Sequence, residues 1–199
     1  YIRHIRIVIL LIHKGLLETV MQAQDILDFW FDADHRSLWF AKSDEFDAKI
    51  QQRFAILHQQ AVQSELWSWR KTAEGRLAEI IVLDQFSRNL YRDQAQAFAY
   101  DSMALVLAQE AISLQLDMQL NPDQRSFLYM PFMHSESQLI HEFALKLFQR
   151  LGNEMNLSFE KKHKLIIDRF GRYPHRNTIL NRHSTPEEIE FLTQPNSSF

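Results

Sequence analysis

Apolar residues along this chain recur every three or four positions, the spacing of a helix face, and seldom every second position, the spacing of a strand. Over 22–31, Ile26, Leu27, Phe29, Trp30 and Phe31 make a short apolar helix, and 32–37 is a polar break. Ser43 then predicts an N-cap, with Asp44, Glu45 and Asp47 in the first turn, where the helix dipole favours negative charge. Phe46, Ile50, Phe54, Leu57 and Ala61 continue that helix as one stripe. Thr72 predicts the cap of a third helix, which carries Leu77, Ile80, Ile81 and Leu83 and ends near Asn89; a fourth is expected over 95–114. Asn121 and Pro122 supply the cap and first-turn proline of a fifth, which Pro131 should stop or kink. Ser135 with Gln138 reads as a capping box for the next, which runs to Leu151 and stops at Gly152. A further helix over 158–170 is closed by Gly171. Thr185-Pro186-Glu187-Glu188 opens the last one.

About seven or eight helices joined by short turns predict an all-α domain over 21–193, a helical bundle or stacked helical hairpins. No exact repeat of 34 residues supports a solenoid. Trp30, Trp39, Trp67 and Trp69 are expected in the core or between helices, because aromatic side chains bury large areas. The tail, 194–199, is polar and expected to fray. The first twenty residues stand apart: basic positions precede the apolar run 7–12, which His13 and Lys14 interrupt. That run is too short for a bilayer and no small-residue cleavage site follows it. With Met21 just ahead of the first domain helix, 1–20 is expected to be an upstream extension, the alternative being a membrane-surface helix.

Composition strengthens the helical reading, since four glycines and five prolines are few for a fold that depends on tight turns. The chain has no cysteine, which excludes disulfides, thiolate zinc sites and cysteine nucleophiles and fits a reducing, cytoplasmic setting. A net charge of -3 argues against a general nucleic-acid coat. Neither a cofactor nor a transmembrane segment is expected.

Three segments carry more polar chemistry than a helical core needs. In 83–93, Asp84, Arg88 and Arg92 share one helix face, so the arginines either form an ion-pair ladder or, with Asn89, bind an anion. In 127–137, Pro131 precedes His134, Ser135 and Glu136. The His-x-Glu pair lacks the cysteines of a zinc deaminase, His134 and His141 are seven apart, and no HExxH occurs, so no metal is expected. In 168–188, Arg172, His175, Arg176, Arg182 and His183 accumulate while 171–186 holds no acid. These cations either complement a helix C-terminus or aim into a shared anion pocket, with His175 titrating near neutrality.

Asp84-Gln85-Phe86 with Arg88-Asn89 and Tyr91-Arg92, then Tyr129, Pro131-Phe132 and His134-Ser135-Glu136, then Phe170-Gly171-Arg172 and Pro174-His175-Arg176-Asn177, and last Ser184-Thr185-Pro186 with Glu188 occur in this order. In these motifs the chain resembles the bacterial family labelled domain of unknown function 924, from about Asp25 to Leu192. The resemblance implies a tetratricopeptide-like helical protein and brings no established activity. Asn181 stands where that family usually has glycine, a replacement that tolerates left-handed backbone.

The three segments are therefore expected to converge. In the leading reading they surround a pocket for a small anionic ligand bearing phosphate or carboxylate. Arg88, Asn89, Arg92, Arg172, Arg176 and Asn177 are the candidate binding residues, and His134, His175 and Glu136 are candidates for proton transfer. Glu136 or Asp84 would orient a histidine. The alternative is an interaction scaffold for a peptide, in which the same residues only lock helices together. Exposure separates them: guanidiniums that line a pocket favour the first, and fully paired buried ones the second.

Overall fold

The computed structural model describes residues 21–195, 197 and 198. The expected upstream extension, 1–20, lies outside the described residues. Among those described, all regular structure is helical. The α-helical segments are α1 (Ala23–Trp30), α2 (Asp44–Val62), α3 (Ala73–Ile81), α4 (Ser87–Leu90), α5 (Asp101–Ser113), α6 (Pro122–Met133), α7 (Gln138–Leu151), α8 (Glu154–Phe170) and α9 (Pro186–Leu192). Their starts follow no constant period.

Most boundaries sit where local chemistry puts them. The side chains of Ser43, Thr72, Asn121 and Thr185 each accept a hydrogen bond from the backbone N–H three residues on. Each thereby satisfies an N–H that a helix start leaves without a partner. Gly152 and Gly171 end α7 and α8 in the left-handed conformation, and Asn181 adopts it too at φ 53°.

Five expectations are corrected. The N-cap of α7 is Ser137, not Ser135, because Glu136 is drawn away to Tyr173 and Arg182, so the chain turns helical two residues later. The cap of α8 is Asn153, so that helix starts four residues earlier than 158. The expected helix over 95–114 is divided: a 3-10 turn, Ala95–Phe98, precedes α5, whose cap position is Tyr100. Trp67 is 65% exposed and does not pack in the core. Pro131 does not stop its helix; α6 runs two residues beyond it.

The main core gathers α1 to α7 around stacked and edge-on rings. Trp30 is 1% exposed, with its ring edge-on to Phe127 at 5.5 Å and close to Phe46 and Phe86. The stripe of α2, from Phe46 to Ala61, is buried as predicted. A second, smaller cluster joins Ile166 and Ile167 of α8 to Tyr173, with Phe170 and Phe191 packed against it. Tyr173 of the smaller cluster donates its hydroxyl hydrogen to the carbonyl of Met133 in the main core. No helix among the described residues is long and apolar enough to cross a membrane.

Candidate functional site

Between α3 and α4 the helix does not break; it widens into a π turn, Val82–Phe86. Such turns are rare, carry one extra residue and are frequent at functional sites. This one carries Asp84, which is fully buried. Its Oδ1 lies 2.7 Å from Nδ1 of His134 and 3.0 Å from Nη1 of Arg88, and Gln85 donates to Oδ2. Burial alone would raise the Asp84 carboxyl, but Arg88 and His134 outweigh it and hold the group well below the usual carboxylate range. Burial and the neighbouring Arg88 lower the His134 imidazole against the pull of Asp84. The pair is therefore a carboxylate and a neutral ring with its hydrogen on Nδ1.

Arg88 reaches onward to Asp101, the first residue of α5, with Nη1 and Nη2 each 3.0 Å from one carboxylate oxygen. Arg176 meets the same carboxylate from the far end of the chain, its Nη1 3.3 Å from Oδ2. That guanidinium lies between the rings of Phe98 and Tyr173, 4.5 Å from each centroid. It is 6% exposed, and burial together with Arg88 lowers it from the ordinary arginine value despite Asp101. Its Nε is buried without a partner, and the weak contact to Asp101 is its one hydrogen bond. Glu136 is held by Nη1 and Nη2 of Arg182 and by the backbone N–H of Tyr173. Against the effect of burial, Arg182 keeps its carboxyl below the ordinary glutamate value.

Asp101, His134, Glu136 and Arg176, with Ser102 and Ser135, line a cavity of about 310 Å³ walled by Phe98, Leu105, Pro131 and Leu180; Asp84, Arg88 and Arg182 stand behind them. Its carboxylates are already bound: Asp101 by two arginines and Glu136 by Arg182 and an N–H. The first turn of α5 opens on the cavity and no side chain caps it. Its backbone N–H groups and helix dipole favour an anion there.

The structure thus brings Arg88, His134, Glu136 and Arg176 together and takes the other sequence candidates elsewhere. Asn89 and Arg92 both bind Asp47 at the start of α2. Arg172 grips Glu188 through Nε and Nη2, and Asn177 is buried against Ser184 and the same glutamate. His175 does not line the cavity, and burial, then Arg176, push it down to about 4, away from the neutral titration its type suggests. The acid-free stretch finds its acids in Asp101, Glu136 and Glu188. Asp101, Ser102 and Phe98 went unrecognised in the sequence because 95–114 reads as one helix; the one local mark of the α5 start is Asp101, an acid in its first turn. Among the described residues no group of three His, Asp or Glu is arranged to hold a metal ion.

Residues 26–196 match the family described as bacterial protein of unknown function, DUF924. No curated protein matches the chain. Among solved structures, the chain is similar to a protein of unknown function from Agrobacterium tumefaciens at 40% identity and a TM-score of 0.82, over 85% of this chain and 96% of that one.

Proposed function

The chain belongs to this bacterial family of unknown function, and we propose from its geometry that it binds a small organic anion in the cavity between α5, the end of α6 and the 3-10 turn Pro174–Arg176. One observation carries the reading. Arg176 is buried and lines the cavity, yet its guanidinium makes a single hydrogen bond, of 3.3 Å. A guanidinium removed from water and left mostly unpaired is costly, and an anion supplies what it lacks. Two further features point the same way: the uncapped start of α5 and the saturation of both carboxylates on the wall. A volume of about 310 Å³ lies at the small end of the range for ligand sites.

Thermal unfolding in the presence of acetate, butyrate, 2-hydroxybutyrate and inorganic phosphate tests this. A ligand at 100 times its dissociation constant stabilises the fold by about 2.7 kcal/mol. The expected result is a concentration-dependent rise in the unfolding midpoint that Arg176→Ala abolishes. A rise of equal size in Arg176→Ala would place the anion elsewhere.

A further inference from the structure

Arg176 is an unsaturated donor on the cavity wall, and His134 presents an unsaturated group of the opposite kind. Asp84 is ionised and takes the Nδ1 hydrogen of His134. The neutral ring then presents Nε2 as a bare lone pair, to which no described residue donates. Ser102 and Ser135 also line the cavity, but a hydroxyl turns to either role and selects nothing.

The other arginines of this chain show by contrast which N–H of Arg176 is left for the anion. Arg70 grips Glu79, Arg92 grips Asp47 and Arg172 grips Glu188, each through Nε and Nη2. In Arg176 Nε is closed off inside the protein and Nη1 is on Asp101, which leaves Nη2, without a partner in the protein, as the N–H open to the cavity. A charge-assisted bond from Nη2 takes one oxygen of a carboxylate. The remaining wall is apolar, with Phe98, Leu105, Pro131 and Leu180 suited to a short hydrocarbon body.

We infer that the ligand is a small hydroxycarboxylate, its carboxylate on Arg176 and its hydroxyl donating to Nε2 of His134. This rests on the anion-binding reading of the same cavity and adds the donor that the ligand must carry. His134 is then a specificity-determining residue. An acid of the same shape without the hydroxyl leaves a desolvated acceptor unpaired, and a site built around a hydrogen bond discriminates against such analogues.

Calorimetric titration of the full chain at neutral pH with 2-hydroxybutyrate, butyrate and inorganic phosphate separates the two levels. 2-Hydroxybutyrate is expected to bind about tenfold more tightly than butyrate, the effect of roughly one hydrogen bond. His134→Asn keeps an amide donor for Asp84 and has no atom in the place of Nε2, so it should bind both acids with nearly the affinity that the unaltered protein shows for butyrate. Equal binding of the two acids by the unaltered protein overturns the inference and leaves the anion site standing, whatever the stability of the variant. A preference that persists in His134→Asn, or binding of phosphate alone, overturns it as well. If none of the three binds, the anion reading falls and the inference with it.

Discussion

Asp84 and His134 are 50 positions apart in sequence, and Oδ1 of one lies 2.7 Å from Nδ1 of the other. The contact ties the π turn after α3 to the end of α6, so it fixes both the ring orientation and the packing of two helices. Removing the charge leaves Arg88 with one carboxylate instead of two and His134 with a weaker acceptor. Asp84→Asn should lower stability by about 3 kcal/mol, the low end for breaking a buried charge pair, because Asp101 still neutralises Arg88. Urea unfolding measures this, and a loss below about 1 kcal/mol would show that the pair is not structural.

The tryptophans separate by burial. Trp30 is enclosed by Phe46, Phe86 and Phe127, so Trp30→Ala leaves a cavity that the surrounding rings cannot fill and should cost about 3–5 kcal/mol. Trp67 faces solvent, and Trp67→Ala should change stability by no more than about 0.5 kcal/mol. Paired denaturation curves decide both, and equal effects would contradict the packing described.

What the sequence disclosed was local. Ser43, Thr72, Asn121 and Thr185 declare helix starts because a cap bonds only three residues ahead, and the α2 stripe declares a buried face because its period is that of the helix. Ser135 and Ser137 are equivalent to any local rule. What chooses between them is Glu136, which bonds to Tyr173 and Arg182, 37 and 46 residues on. The site divides in the same manner. Arg88, His134, Glu136 and Arg176 stand out by type in the sequence, but what joins Arg88 to Arg176 is Asp101, a residue inside a segment that reads as ordinary amphipathic helix. Arg92 and Arg172 have the same chemistry as Arg176 and differ in having Asp47 and Glu188 within reach. Partnership of that kind is a property of the fold, not of the residue.

Gly75 sits in the first turn of α3 with its backbone against the 3-10 turn Trp67–Lys71. A Cβ there would fall inside the contact distance of the Trp69 carbonyl, and backbone does not yield as a flexible side chain does. Gly75→Ala should therefore destabilise by about 1–3 kcal/mol or more, although alanine is the better helix former. A stabilised variant, measured by thermal unfolding, would contradict the close approach.

Acid should weaken the protein in a defined window. Burial pushes His58 to about 4, His163 to about 3 and His175 to about 4, each from an ordinary value near 6.5. The folded chain thus holds fewer protons than the unfolded chain across that interval, so stability rises with pH there. The contribution of each is complete above 6.5 and is lost as pH falls towards 4. Each ring gives a slope of at most about 1.4 kcal/mol per pH unit, less for the partly exposed His175. Unfolding free energies measured between pH 4 and 7.5 should climb and then flatten above 6.5; a flat profile below 6.5 would mean that the three rings are accessible to protons in the fold.

Arg88 and Arg176 meet at Asp101, but their removal should have unlike consequences. Arg88 binds Asp101 with two hydrogen bonds and Asp84 with an ion pair, so it serves one buried and one half-buried carboxylate. Arg88→Ala strands both and should cost about 3–5 kcal/mol in the absence of any ligand. Arg176 gives Asp101 only a weak third contact, and its own burial is unfavourable, since the guanidinium is lowered from its ordinary value. Without it, Asp101 keeps both bonds to Arg88. The loss in Arg176→Ala is then mainly packing against Phe98 and Tyr173, about 1–2 kcal/mol by the usual strength of an arginine stacked on rings in a desolvated place. Stabilisation by an added anion should vanish in the same variant. Equal losses in the two variants would make Arg176 a structural partner like Arg88 and remove the ground for an open anion site. The reverse order, with Arg176→Ala the more damaging, would show that Asp101 depends on the weaker of its two partners.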